Sequence, residues 1–368
     1  MDFKRIIIKL GTSTLTAGSQ FLSRPHMIEL VRQISLVHKL GCEVIIVSSG
    51  AIAAGRETLG FPEFSKHIPV RQMLSAVGQT TLMDVYTKLF HLYDKKVAQI
   101  LLTRSDFNDR NRYLNARNTI EALLNQGVIP IINENDTVAT EEICVGDNDN
   151  LSAMVSNLVD ADLLILLTNQ KGLYTKDPNT NKDAKLVKII KEHDIPHHIW
   201  HAAGKSKDGL GTGGMFTKLQ AADLARRSGT SVIIAAGNEK DIILEIINGK
   251  EIGTLLTSVS SSVESKKRYL LTGIRSSGYI VIDNGAENAI YKGGSILPVG
   301  IINASCTFVR GDVVRINNPD DKEIAIGIIN YSLEQINKIT GLHSENIENV
   351  LGYSYGDEVI HHNNMIIL

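Results

Sequence analysis

The segment Gly209-Leu-Gly-Thr-Gly-Gly-Met-Phe-Thr-Lys218 sets four glycines, two threonines and a terminal lysine at the lead-in to an amphipathic helix. Consecutive backbone N–H groups freed by glycine, backed by the positive end of a helix, cradle an anion. A lysine one turn into that helix adds a point charge to the same anion. These residue types at this spacing suit a polyphosphate. The segment satisfies G-x-G-x-x-G through Gly209, Gly211 and Gly214, but no apolar strand runs directly into it, which argues against a dinucleotide fingerprint. Nor does Lys218 stand where a Walker P-loop puts its lysine.

A second lysine lies far upstream, in Ile8-Lys-Leu-Gly-Thr-Ser13. Lys9 interrupts an apolar run, which is costly unless its ammonium reaches solvent or an anion. An edge-strand lysine that snorkels to water is the ordinary explanation. The following Gly-Thr-Ser supplies small donors at the strand's end and favours the anion. Phosphoryl transfer asks a protein mainly for positioning and charge neutralisation. Lys9 and Lys218 approaching one phosphoryl group from two sides, with a glycine nest and a metal, would provide both.

Acidic and amide residues form a third constellation: Asn133-Glu-Asn-Asp136 and Gly146-Asp-Asn-Asp-Asn150. Asx turns would explain either run alone. The second resembles the start of a calcium loop but lacks the later glycine and glutamate ligands. A carboxylate with neighbouring amides can hold an ammonium group, while another carboxylate fixes an orienting lysine. Ser48-Ser-Gly50 adds hydroxyl and N–H donors for a carboxylate, so the set suits a small amino acid. The pairs His197-His198 and His361-His362 lack metal-ligand spacing and read as surface residues.

These clusters must be held by a scaffold, and the first two-thirds of the chain predicts one. Short apolar strands at Ile6–Leu10, Val44–Val47, Val97–Leu102, Val128–Ile132, Leu163–Leu167 and Val232–Ala235 alternate with helical stretches. The helices begin near Ser23, with Pro25 behind it, and cover about Arg71–Tyr93 and Ala116–Gln126. The pattern predicts an α/β fold with a mainly parallel sheet sandwiched between helices. Ligands of such sheets bind beyond the carboxyl ends of the strands, where most of the polar clusters fall. From Ile274 the pattern changes to short alternating runs with turn signals at Asp283-Asn-Gly285, Lys292-Gly-Gly294 and Asn317-Asn-Pro319. One helix near Leu333–Ile339 interrupts this small β-rich module.

Length and composition agree. A chain of 368 residues with 43% apolar and 21% charged residues predicts two globular domains of unequal size. A net charge of −2 gives no electrostatic argument for bulk nucleic-acid or membrane binding. Cys42, Cys144 and Cys306 show no C-x-x-C pairing and read as free thiols. No apolar run approaches a membrane span, and the N-terminus lacks a signal-peptide pattern, so the expected location is cytoplasmic.

The ordered set Ile8–Ser13, Val47–Gly55, Asn133–Ala139, Val145–Ala153, Gln170–Tyr174 and Gly211–Lys218 resembles the glutamate 5-kinases of the amino-acid kinase family. The C-terminal module resembles a PUA domain, as in the long form of those enzymes. The resemblance implies a catalytic kinase domain over 1–257, a linker over 258–267 and a PUA-like domain over 268–368. It also implies ATP-dependent phosphorylation of the L-glutamate side-chain carboxylate to L-glutamyl 5-phosphate, the first step of proline biosynthesis, with Mg2+ accompanying ATP. Lys9 and Lys218 would stabilise the phosphoryl group in flight, and Asp149 would orient them. Ser49, Asp136 and Asn148 would hold glutamate. Lys9, Thr168, Asn169, Thr212, Gly213, Gly214, Met215, Phe216, Thr217 and Lys218 would line the ATP site; no metal ligand is assigned. Asn169 is a departure, since the family usually carries aspartate there. Feedback inhibition by proline and assembly into dimers or tetramers are further implications.

A carboxylate nucleophile is ionised at neutral pH and needs no general base, and no histidine occurs in any of these motifs. Two other classes compete. One is a kinase for another carboxylate, a carbamate or a nucleoside monophosphate, for which arginines near the acceptor loops would be expected. The other is an RNA-binding protein, disfavoured because Lys266-Lys-Arg268 is the module's sole basic run.

Overall fold

The β-branched and leucine-rich runs form the centre of an eight-stranded sheet. The computed structural model describes residues 3–60, 67–139, 148–178, 180–204, 214–259 and 277–368. Its first sheet contains β1 (Arg5–Leu10), β2 (Glu43–Ser48), β3 (Val97–Leu102), β4 (Ile129–Glu134), β5 (Leu163–Thr168), β6 (Ile189–Ile190), β7 (Ser231–Ala236) and β8 (Thr254–Leu256). The order is β3-β4-β2-β1-β5-β7-β8-β6. Every pair is parallel except β7 with β8. β5 is buried along its whole length, as a strand covered on both faces must be.

The chain runs outward from β1 through β2, and then returns past β1 to place β5 on its other side. That reversal is a topological switch point, where α/β sheets bind ligands. Lys9 lies there, one residue from the end of β1, in register with Val47 and Leu166. β1 is thus a central strand and Lys9 is 4% exposed, which removes the edge-strand explanation for its lysine.

The helices up to residue 247 are α1 (Thr12–Leu15), α2 (Arg24–Lys39), α3 (Ala51–Thr58), α4 (Ile68–His91), α5 (Arg104–Asn108), α6 (Arg110–Asn125), α7 (Asn148–Leu158), α8 (His197–Ala202), α9 (Met215–Arg227) and α10 (Ile242–Ile247). α2 starts with proline in its first turn and buries Met27, Leu30, Val31, Ile34 and Val37 on one stripe. These residues join Ile6, Ile8, Val44, Ile46 and Ile165 in one core. α4 and α6 begin earlier than their apolar periodicity suggests. In α4, Pro69 occupies the first turn, where its missing N–H costs nothing.

α3 and α4 pack backbone to backbone. A Cβ on Gly78 would stand 1.8 Å from the Ala51 carbonyl oxygen, and one on Gly55 would stand 1.9 Å from that of Leu74. Only glycine permits this approach.

The chain divides into two compact units, residues 1–107 with 119–261 and residues 108–118 with 262–368. The expected linker lies outside the described residues from position 260 onward. The second unit holds a five-stranded sheet of β9 (Gly278–Ile282), β10 (Ile301–Ser305), β11 (Val313–Asn317), β12 (Glu323–Ile328) and β13 (Met365–Ile367), ordered β10-β9-β11-β12-β13. Ile280, Ile282, Ile316, Tyr331, Ile336 and Ile360 fill its core. The expected helix near Leu333–Ile339 is present, with a capping box at Ser332 and Gln335. Asp283-Asn-Gly285 differs from its expected role as a turn. The Asp283 carboxylate accepts from the Ala286 N–H at 2.7 Å and caps a helix over Asn284–Tyr291.

Candidate active site

Five strand ends converge on the site. β1 delivers Lys9, β2 ends at Ser48 and leads to Ser49, and β4 ends in Asn133-Glu134 just before Asp136. β5 ends at Thr168 and β7 leads to Gly237, whose N–H donates to the Thr168 carbonyl at 2.8 Å. Gly50 has φ of +99°, a left-handed turn that ends β2 and starts α3 at once. The first turn of α7 supplies Asn148 and Asp149, and the first turn of α9 supplies Thr217 and Lys218.

Asp149 is the centre of charge. Lys9 Nζ lies 2.5 Å from its Oδ1 and Lys218 Nζ lies 2.9 Å from its Oδ2. The side chains of Asp149, Lys9 and Lys218 are 1%, 5% and 8% exposed. Thr217 Oγ1 is also within reach, 3.3 Å from Oδ2. Burial opposes ionisation of Asp149, but the two ammonium groups outweigh it and hold its carboxyl below the ordinary carboxylate value. Two positive charges and one negative leave the triad with a surplus of one positive charge, in a site that amplifies it. A surplus of this sign suits an anion.

On one side of the triad lies a pocket of about 420 Å³, open to solvent. Thr12, Ser49, Arg71, Asn133, Asp136 and Asn148 are among its lining residues. Asn148 Nδ2 donates to the Ser48 carbonyl at 2.7 Å, to Ser49 Oγ at 3.0 Å and to Asn133 Oδ1 at 2.8 Å. Ser75 Oγ donates to Asp136 Oδ2 at 2.5 Å. Burial lifts the Asp136 carboxyl above its ordinary value, and the Ser75 hydrogen bond and the Arg71 charge counter this only in part. The pocket therefore pairs a carboxylate with a guanidinium, and so presents both signs to a zwitterion.

Two further pockets are lined in part by residues expected at the nucleotide site. Thr168 and Asn169 line one with Ser13, Thr14, Gly237 and Asn238. Met215 lines the other with Leu173, Tyr174, Asp177, Pro178 and Ile199. Asn169 is exposed, and its Oδ1 accepts from Thr168 Oγ1 at 3.2 Å, a contact that needs no negative charge. Phe216 packs edge-on against Trp200, with ring centroids 5.6 Å apart. Gly214 precedes α9 directly. Thr212 and Gly213 lie outside the described residues.

The structure thus brings together Lys9, Asp149, Thr217 and Lys218 as one cluster, and Ser49, Asp136 and Asn148 as another. Sequence reasoning missed Arg71, Ser75 and Gln79. A signal existed: the three recur every fourth residue along α4, which places them on one face of a helix that is otherwise largely apolar.

A parallel α/β sheet with a lysine–carboxylate–lysine cluster at its switch point defines a class, and comparison with known proteins identifies it. Residues 4–236 match the amino acid kinase family and residues 278–351 match the PUA domain, so the chain belongs to the amino acid kinase family and carries a C-terminal PUA domain. The glutamate 5-kinase of Shewanella halifaxensis is 49% identical, across 100% of this chain and 99% of that protein. That of Aliivibrio salmonicida is 51% identical, across 99% of this chain and 98% of that protein. Among solved structures, carbamate kinase from Giardia lamblia bound to AMP-PNP shares the fold, with a TM-score of 0.51 at 17% identity over 70% of this chain and 99% of that one.

Proposed function

We propose that this protein transfers the terminal phosphoryl group of ATP to the side-chain carboxylate of L-glutamate, giving L-glutamyl 5-phosphate as the first step of proline biosynthesis. The observation that carries the reading is the Asp149 carboxylate buried between Lys9 and Lys218. In this reading the two ammonium groups serve the boundary between the acceptor pocket and the nucleotide. Sequence identity near 50% with glutamate 5-kinases along the whole chain supports the choice of acceptor.

In this mechanism Asp136 pairs with the α-ammonium of glutamate and Arg71 faces its α-carboxylate. Ser49 and Asn148 close the pocket around the remaining polar atoms. A nucleoside monophosphate would instead set its phosphate against Asp136, with Arg71 the one arginine among the described lining residues to offset it, which disfavours that class of acceptor. The acceptor carboxylate is already ionised and attacks without a general base. Lys9 and Lys218 neutralise charge on the phosphoryl oxygens as the bond to the leaving phosphate breaks. Asp149 holds both ammonium groups in place before ATP arrives, so little reorganisation is needed at the moment of transfer.

Among the described residues no three His, Cys, Asp or Glu side chains gather to hold a metal. Mg2+ fits here as the companion of the nucleotide's phosphates, the usual way this ion is held, and would spread charge over them. No helix among the described residues is long and apolar enough to cross a membrane. A cytoplasmic location, inhibition by proline and assembly into dimers or tetramers complete the reading. RNA binding by the PUA domain is disfavoured as the main role.

The test is ATP turnover with Mg2+ against glutamate, aspartate, N-acetylglutamate, carbamate and UMP, with acyl phosphate trapped by hydroxylamine. Glutamate-dependent hydroxamate, suppressed by proline, is the expected result. Turnover with another acceptor alone would discard the substrate assignment and keep the phosphoryl-transfer site.

A further inference from the structure

The amides behind the acceptor pocket form a chain whose polarity is set by two backbone groups. Asn148 Nδ2 lies 2.7 Å from the Ser48 carbonyl oxygen, which can only accept, so nitrogen must face it. Asn133 Oδ1 lies 2.9 Å from the Glu134 N–H, which can only donate, so oxygen must face that. With both amides fixed, Asn148 donates to Asn133 at 2.8 Å and Asn133 Nδ2 donates to Gln79 Oε1 at 2.8 Å. Gln79 Nε2 in turn donates to Gln99 Oε1 at 2.9 Å.

The orientation has a consequence at the other end of Asn148. Its Oδ1 is buried and has no hydrogen-bond partner among the described residues, while Asn148 itself lines the acceptor pocket. A buried carbonyl oxygen left unpaired is costly and calls for a donor. We propose that Gln79 is a positioning residue for the acceptor. It braces Asn133, and through Asn133 it braces Asn148, in the orientation that the two backbone groups set, with the buried, unpartnered Asn148 oxygen beside the pocket. The inference rests on the glutamate reading and adds to it that the α-ammonium group paired with Asp136 also donates to this oxygen. Gln79 is not among the residues lining the pocket and acts through Asn133, which is.

The experiment uses the full-length protein and two acids, L-glutamate and glutarate, which has the same carboxylates without the amine. KM and kcat for glutamate, the inhibition constant or turnover of glutarate, and KM for ATP are measured for wild type, Gln79→Met and Gln79→Glu. Loss of the acceptor toward Asn133 in Gln79→Met should raise the glutamate KM about tenfold, the scale of one hydrogen bond, and leave glutarate, kcat and the ATP KM unchanged. Gln79→Glu keeps an oxygen toward Asn133 and should restore the preference for glutamate. Gln79→Ala, which sustains the helix, should repeat the Met result if that variant does not fold. Equal losses for both acids, an unchanged preference, or a Glu variant as impaired as the Met one would overturn the inference. Wild-type protein that turns over neither acid, but another acceptor, would overturn the glutamate reading itself.

Discussion

Asp149→Asn tests the charge balance at the centre of the site. The substitution keeps the shape of the side chain and removes its charge, leaving two ammonium groups that are 5% and 8% exposed with no carboxylate between them. Breaking a buried ion pair by neutralising one partner costs about 3–5 kcal/mol, chiefly because a charge is left buried and uncompensated. In a unit of this size that corresponds to a fall in Tm of roughly 6–20 °C. The amide can still accept from one lysine but must turn its NH2 toward the other, so one ammonium group leaves its position. Loss of one oriented donor to a developing charge predicts a fall in kcat of about 10²–10³-fold.

The same balance predicts what happens to ATP. The variant site carries a surplus of two positive charges in place of one, so ground-state attraction for a polyphosphate is kept or increased. The ATP KM should stay level or fall while kcat collapses, and saturating ATP should recover part of the lost Tm. Steady-state kinetics and thermal unfolding with and without ATP read all three quantities. A variant with near-normal kcat and Tm would refute the reasoning, as would an ATP KM that rises in step with the loss of kcat. Adding Lys218→Met to Asp149→Asn should return stability, because it removes one of the two ammonium groups that Asp149 balanced.

Three other outcomes follow from the geometry. Lys218→Met alone should lower kcat by about 10²–10³-fold with the glutamate KM largely kept, because the proposed mechanism gives its ammonium to the moving phosphoryl group and Lys218 is not among the lining residues of the acceptor pocket; retention of most activity would remove it from the mechanism. The glutamate KM should rise as pH falls toward the raised value of Asp136, since the protonated acid cannot pair with an ammonium group, while kcat stays flat because Asp149 is held ionised to lower pH. In stability the two acids have opposite signs: Asp149 stabilises the fold above its ordinary value and loses this as pH falls through its lowered one, whereas Asp136 favours the fold while protonated and loses this as pH rises through its raised one. A pH profile in which kcat falls first would reverse the two assignments. Gly78→Ala places a Cβ 1.8 Å from the Ala51 carbonyl and should cost at least about 1–3 kcal/mol as α3 and α4 are forced apart. It should also raise the glutamate KM, because these helices carry Ser75 and Gln79 and follow Ser49; unfolding curves and kinetics check both.

The central sheet was legible because its strands are apolar on both faces, and a run such as Leu163–Thr168 admits few other readings. Lys9 stood out for a related reason: a charge inside an apolar run has to be explained, and its ordinary explanation, an edge strand, fails because β1 is paired on both sides. The face of α4 was harder to read. Arg71, Ser75 and Gln79 interrupt a long helix that also carries apolar residues around its circumference, so their spacing competes with ordinary surface polarity. The Asn-Gly pair after Asp283 misled because the same dipeptide suits a hairpin turn and the first turn of a capped helix. Which one forms depends on what the next eight residues pack against, and that is tertiary information.

One step of α7 joins the two halves of the chemistry. Asn148 and Asp149 are neighbours in its first turn, and successive helical residues point about 100° apart. Asn148 is thereby turned to Ser48, Ser49 and Asn133 around the acceptor, and Asp149 to the two lysines around the donor. Ser152 and Ser156, both fully buried, donate to the carbonyls of Asp149 and Ser152 along the same helix and help to seat it. In the proposed mechanism the separation between attacking carboxylate and transferred phosphoryl group is then a property of one rigid turn, with no loop in between. A disturbance of α7 that leaves both pockets intact would spare the two KM values and reduce kcat, because proximity is felt in the transition state and not in either binding step alone.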